Sequence, residues 1–211
     1  MTYFDDSLKL LVSLLSILNP IGVIPVFISL TESFSEDKVK SITTSCALSV
    51  MATLFISFAL GQNILNFFGI SLASFSIAGG ILLSGMALQM IAAQNVTSKL
   101  NEDEQESLNP GEIGVVPLAI PLLAGPGTMS QAIIYSNKVT STYHWIGTFL
   151  VVLIIGLLIK LILQYSKRIG RRLGIVGLNV MTRIMGLIIL SLSIEIIASG
   201  MRDILPALGK V

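Results

Sequence analysis

The chain has 211 residues, 53% of them hydrophobic and only 12% charged, with a formal net charge of +1. Its mean hydropathy of +0.86 is that of a membrane protein, and its few basic residues do not form the aromatic-interleaved patch that nucleic-acid binding requires. One cysteine, Cys46, and one histidine, His144, supply neither a disulfide framework nor a Cys/His metal site.

Met1 to Asp6 carries two aspartates and no basic residue, so it lacks the positive n-region of a cleavable signal, and the first apolar stretch is expected to remain as a helix. Stretches of about 20 apolar residues predict six membrane spans at roughly 8–30, 41–61, 70–92, 113–136, 146–165 and 180–200. No charge separates the second from the third, so their boundary is placed by amides and glycines, at Gly61-Gln62-Asn63 and Asn66-Phe67-Phe68-Gly69. A linker from Gln94 to Glu112 is acidic, with Glu102, Asp103, Glu104, Glu106 and Glu112 against Lys99. It divides a single membrane domain into a first repeat, 1–93, and a second, 113–211. With six spans, the first, third and fifth loops share a side and hold Lys38, Lys40, Lys99, Lys167, Arg168, Arg171 and Arg172. The excess of positive charge there predicts a cytoplasmic linker and both termini outside.

The first and fourth spans each carry a helix breaker at their centre: Asn19-Pro20-Ile21-Gly22 and Gly125-Pro126-Gly127-Thr128. Proline has no amide hydrogen, so Pro20 frees the carbonyl of Ser16 and Pro126 that of Leu122. In hydrocarbon such groups need partners, which packed helices, a water-filled cavity or a solute can supply. The two prolines lie 106 residues apart, and the same offset lays span one on four, two on five and three on six. It also lays Gly80 on Gly186, Ile91 on Ile197, Ala92 on Ala198 and Gln89 on Glu195. Two repeats of three spans enter the membrane from opposite sides, so the predicted fold is an all-α polytopic protein with a 3+3 inverted repeat, spans one and four broken at the midplane.

Inversion would bring the two breaks together. Helix N-termini there suit a carboxylate and free carbonyls suit an ammonium group, with no charged side chain at the midplane to hold a strongly charged ligand. A small neutral zwitterion therefore fits better than a divalent metal. Asn19, Pro20, Gly22, Gly125, Pro126, Gly127 and Thr128 are the candidate substrate-binding residues; interhelical hydrogen bonding is the competing role for Asn19 and Thr128. Pro25, Pro117 and Pro121 read as kinks. Glu195, a carboxylate well inside a predicted span, and Gln89, its mate under the repeat, are candidates for coupling transport to a proton or cation. A desolvated Glu195 would titrate nearer neutrality, whereas one close to the surface would reach water or Arg202.

The runs Leu18-Asn19-Pro20-Ile21-Gly22-Val23-Ile24-Pro25-Val26-Phe27 and Pro117-Leu118-Ala119-Ile120-Pro121-Leu122-Leu123-Ala124-Gly125-Pro126-Gly127 resemble the signatures of the MarC family of integral membrane proteins. The resemblance extends to length, span number and hydrophilic middle loop. That family is grouped with LysE-like exporters, and a member described as a small neutral amino acid transporter implies glycine or alanine as the solute. The expected function is thus a secondary transporter in the prokaryotic cytoplasmic membrane, working by alternating access without a cofactor. A channel-like pore and a non-transporting membrane scaffold are the alternatives. An enzyme is not expected, since one histidine, one cysteine and one intramembrane carboxylate offer little for acid/base or metal chemistry, and no nucleotide-binding motif is present.

Overall fold

The computed structural model describes residues 2–31, 34–92, 110–136, 139 and 141–205. The described residues are helical and contain no strand. Helix α1 spans Thr2–Leu18, α2 Ile24–Thr31, α3 Glu36–Phe67 and α4 Leu72–Ile91. A short α5, Pro110–Ile113, continues into wide helical turns over Gly114–Leu123, and α6 (Pro126–Ser136) and α7 (Thr142–Ile204) follow. Four helical stretches are long and apolar enough to cross a membrane: Glu36–Phe67, Leu72–Ile91, Thr142–Arg168 and Val176–Ile204. A fifth is formed if Gly111–Leu123 and Pro126–Ser136, bent by 65° at the break between them, count as one. Most of the acidic linker, residues 94–109, lies outside the described residues, and its last part is helical rather than looped.

Local chemistry accounts for the ends. Helix α3 closes in a Schellman motif, with the Ile70 amide donating to the Leu65 carbonyl at 2.9 Å and the Gly69 amide to that of Asn66 at 3.1 Å. Gly69 takes φ +66°, a conformation that costs glycine nothing. The turn between the second and third spans is therefore at Phe68–Ser71 alone. Gly61, expected to mark it as well, sits inside α3, where a Cβ would lie 2.5 Å from Ile133 Cγ1; it serves close packing against α6. Ser71 then caps α4, its hydroxyl accepting from the Ser74 amide at 3.0 Å.

The basic cluster expected in the fifth loop departs from expectation in the same way. Lys167 to Arg172 stays helical, and α7 is interrupted only by Gly174, with φ 65° and ψ 177°, so the last two spans join at one non-helical residue. Lys, Arg and Leu are good helix formers and sustain the helix up to that glycine. Between Gly114 and Leu123 the backbone is instead extended at Val116 and Ile120, the residues before Pro117 and Pro121, which proline excludes from the α region.

A buried core runs through the bundle: Leu10, Leu14 and Leu18 of α1, Phe27 of α2, Ile42, Cys46, Val50 and Leu54 of α3, and Ile155, Ile159 and Leu163 of α7. The opposite faces are apolar too, with Leu48, Ile56 and Leu60 of α3, Ile81, Leu82 and Leu88 of α4, and Leu157 and Ile188 of α7 exposed. Helices apolar all round are what a bilayer solvates.

Candidate functional site

Helix α1 stops where proline requires. The Asn19 amide makes the last turn, donating to the Leu15 carbonyl at 3.0 Å, and the chain folds so that the Gly22 amide donates to the Asn19 carbonyl at 2.9 Å. Asn19 adopts φ 42°, the one positive value among the described residues other than glycine. Asparagine tolerates this region because its short amide bonds locally, and here Oδ1 accepts from the Gly22 amide at 3.3 Å. Gly22 is needed for that arrangement, since a Cβ there would lie 2.6 Å from Asn19 Nδ2.

The second break is built differently. The Ala124 amide reaches back to the Ala119 carbonyl at 2.7 Å and the Met129 amide donates to that of Gly125 at 2.9 Å, so Pro126 opens α6, where its missing amide costs no hydrogen bond. The Leu123 carbonyl, which an unbroken helix would pair with the Gly127 amide, accepts the Thr128 hydroxyl at 2.9 Å. A Cβ on Gly125 would collide with the Pro121 carbonyl and one on Gly79 with the Pro126 ring, so α4 abuts the start of α6 backbone to ring.

Both breaks open on one cavity of about 230 Å³, lined by residues that include Asn19, Gly125, Thr128 and Glu195. Four expected site residues thus meet there, Asn19 from the first half of the chain and Gly125, Thr128 and Glu195 from the second. Thr128 is buried. Glu195 is at the cavity with its side chain 74% exposed and its carboxylate accepting from Arg202 Nη2 at 3.2 Å, the surface pairing weighed above rather than a desolvated acid. The remaining expected residues lie behind the lining: Gly22 under the Asn19 amide, Pro126 against Gly79, and Gly127 toward Ile196 and Ile17, with Pro20 in the turn itself. Gln89 is exposed and borders a separate small hollow with Val26, Met90 and Pro117, so the residue 106 positions before Glu195 does not share its site.

The rest of the wall is apolar and was not anticipated: Ile17 and Val23, Leu83 from α4, and Ile189, Leu192 and Ile196 from the second arm of α7. Positions 189, 192, 195 and 196 recur at helical spacing, so the face that carries Glu195 was available from periodicity. A volume below the roughly 300 Å³ at which pockets for drug-sized ligands begin, with three polar side chains in an apolar wall, suits a small solute. No group of three or more His, Cys, Asp or Glu among the described residues could hold a metal ion.

A model of the MarC family integral membrane proteins matches residues 4–205. The chain is 39% identical over 210 residues to UPF0056 membrane protein YhcE of Escherichia coli (strain K12), covering 98% of each chain. It is 40% identical to UPF0056 membrane protein BU267 of Buchnera aphidicola subsp. Acyrthosiphon pisum (97% of each), and 38% identical to UPF0056 membrane protein MJ1677 of Methanocaldococcus jannaschii (92% of this chain, 94% of the other). No solved structure matches. Several helices apolar on every face, a match that spans nearly the whole chain, and membrane proteins on each side of the comparison lead to one conclusion: the chain belongs to the MarC family of integral membrane proteins.

Proposed function

We propose that the protein is a secondary transporter of a small neutral solute, a small amino acid such as glycine or alanine, working by alternating access in a prokaryotic cytoplasmic membrane with both termini outside. The observation that carries this reading is the cavity to which both chain breaks contribute. The first turn of α6 presents amides without intrahelical acceptors and a partial positive charge, suited to a carboxylate. Asn19 and Thr128 add short polar contacts, and the apolar wall favours a small side chain. Glu195, beside the cavity and paired with the exposed Arg202, is the coupling residue for a proton or cation.

The six-span inverted repeat supports the mechanism, and the helix registers support the repeat. Ser13 faces Gln131 and Ile17 faces Gly127, so α1 and α6 run antiparallel. Gly114 meets Ile42 while Gly61 meets Ile133, so α3 runs parallel to the segment through both halves of the bent pair. Gly80 meets Ile197 and Gly186 meets Ile91, an antiparallel pairing that maps onto itself under the offset of 106. Alternating passes of α1–α2, α3, α4, α5–α6 and the two arms of α7 satisfy these directions together.

Counterflow of radiolabelled glycine and alanine into proteoliposomes tests the reading, beside Asn19→Gly and Thr128→Val variants. Asn19→Gly keeps the positive φ and removes the amide; Thr128→Val keeps the shape and removes the hydroxyl. Accumulation by the parent and its loss in both folded variants is the expected result. Solute leakage without counterflow would make the protein a pore, and neither flux in a folded, inserted preparation would leave the scaffold reading.

A further inference from the structure

A second cavity of about 340 Å³ lies toward the start of α1 and the end of α6, and its wall differs in kind from the first: Asp6, Lys9, Ser13, Gln131, Tyr135 and His144. It holds both signs of charge. Asp6 Oδ2 is 4.0 Å from His144 Nε2, with side chains 46% and 12% exposed respectively, and the His144 ring is steadied by Ser141 Oγ at 3.4 Å from Nδ1. Lys9 is in no ion pair among the described residues. A carboxylate and an ammonium therefore face one hollow without neutralising each other, an arrangement complementary to a ligand carrying an ammonium and a carboxylate.

The two cavities are in line. Ser13 and Gln131, in the wall of this one, are joined across α1 and α6 by a hydrogen bond of 3.1 Å from Gln131 Nε2 to Ser13 Oγ. One turn deeper, about 6 Å along α1, Ile17 lines the inner cavity; across from it, Thr128 stands three residues before Gln131. The Ser13–Gln131 bond thus closes the polar cavity on the side toward Ile17 and Thr128, which line the inner one. A single side-chain hydrogen bond lies between them, together with the Ile17–Gly127 contact, where a Cβ on the glycine would lie 3.8 Å from Ile17 Cγ2.

We propose that this polar cavity is a second binding site for a small zwitterion, whose ammonium is met by Asp6 and whose carboxylate is met by Lys9. The solute is held there before the Ser13–Gln131 barrier opens onto the inner cavity. The proposal rests on the transport reading above for its ligand class, and the two fail separately in one experiment.

Equilibrium binding of radiolabelled glycine and alanine to the purified full-length protein is measured at saturation for the parent, Lys9→Gln, Asp6→Asn and Leu83→Trp, each shown monodisperse. Lys9 is exposed and Asp6 partly so, so their variants remove charge without opening the core, while Leu83→Trp fills the inner cavity. The expected stoichiometry is two per chain for the parent and one for each variant. One per chain in the parent, unchanged in Lys9→Gln and Asp6→Asn but lost in Leu83→Trp, overturns this proposal and leaves the inner site standing. One per chain lost in the two charge variants and kept in Leu83→Trp supports it and overturns the inner site. Binding of neither amino acid by the folded parent overturns both.

Discussion

Gly80 lies against Ile197: a Cβ on the glycine would come within 2.5 Å of the isoleucine Cγ1 and 2.9 Å of the Ser193 carbonyl. The pairing has a counterpart in the same interface, where a Cβ on Gly186 would come within 2.9 Å of Ile91 Cγ1 and 3.0 Å of the Ala87 carbonyl. Moving each residue by 106 positions turns the first set into the second. Between the two pairs the hydroxyls of Ser84 and Ser193 are 2.7 Å apart. Without a hydrophobic drive between helices in lipid, close backbone approach and such hydroxyl pairs are what hold membrane helices together.

The reciprocity predicts matched losses. Gly80→Val and Gly186→Val should each destabilise the protein by about 1–3 kcal/mol through overpacking, and to similar extents. Gly85 is the control in the same helix: a Cβ there meets nothing within 4 Å, so Gly85→Ala should be neutral or stabilising by about 0.5–1 kcal/mol through helix propensity. Thermal unfolding in one detergent, with all three variants beside the parent, checks the order. Equal behaviour of Gly80→Val and Gly85→Ala would contradict it.

At Asn19 stability and solute handling should separate. Its φ of 42° costs a residue with a Cβ roughly 1–2 kcal/mol, so Asn19→Ala should lose that together with the bond to the Gly22 amide. Asn19→Gly should lose only a few tenths. If the asparagine amide contacts solute, Asn19→Gly will nevertheless lose counterflow. Melting temperatures and transport on the same preparations distinguish backbone need from solute contact.

The chain interruptions beside Pro20 and Pro126 were legible because proline cannot continue a helix through its own amide, and the four long apolar spans because a bilayer demands them. The meaning of glycine depends on its neighbours. Gly61 and Gly69 look alike in sequence, yet one is a packing contact with Ile133 and the other a positive-φ turn. For the same reason Gly22 and Gly127, expected to admit the solute, instead admit the Asn19 amide and Ile196. Gly80 and Gly186, 106 residues apart, make reciprocal contacts, whereas Gln89 and Glu195 at the same offset border different cavities. The two polar side chains meet different surroundings on α4 and α7, whereas the two glycines are each fixed by close packing. Nor could sequence place Lys167 to Arg172 in a helix, since basic residues populate loops and helix ends alike.

Glu195 pairs with Arg202 while both side chains are more than half exposed, so the pair itself should contribute little to folding. Glu195→Gln is expected to leave thermal stability near that of the parent. If the carboxylate carries the coupling ion, solute exchange between equal pools will persist in that variant while accumulation driven by an ion gradient is lost. Parallel counterflow and gradient-driven uptake in proteoliposomes give the result; gradient-driven uptake unchanged from the parent would remove Glu195 from the mechanism.

Gly79 and Gly22 should respond to alanine to different degrees, because what blocks the new methyl differs. At Gly79 it falls on the Pro126 ring, with the proline Cα only 3.2 Å away. Neither ring nor backbone can rotate aside, so α4 and the start of α6 must separate, at a cost of about 1–3 kcal/mol. The Ser76–Ser130 hydrogen bond, 2.9 Å long, lies one turn away in the same contact and should be strained with it. At Gly22 the obstacle is the far end of the Asn19 side chain, 2.6 Å away, which can swing out by changing rotamer. Gly22→Ala should therefore fold with a loss near that of one hydrogen bond, about 1 kcal/mol, and displace the amide from its cap. Gly79→Ala is thus expected to show a clearly lowered melting temperature, whereas Gly22→Ala shows a near-parental one with altered apparent affinity for the solute. A Gly22→Ala protein as unstable as Gly79→Ala would mean that the Asn19 amide is locked in place by the fold and is not free to serve a ligand.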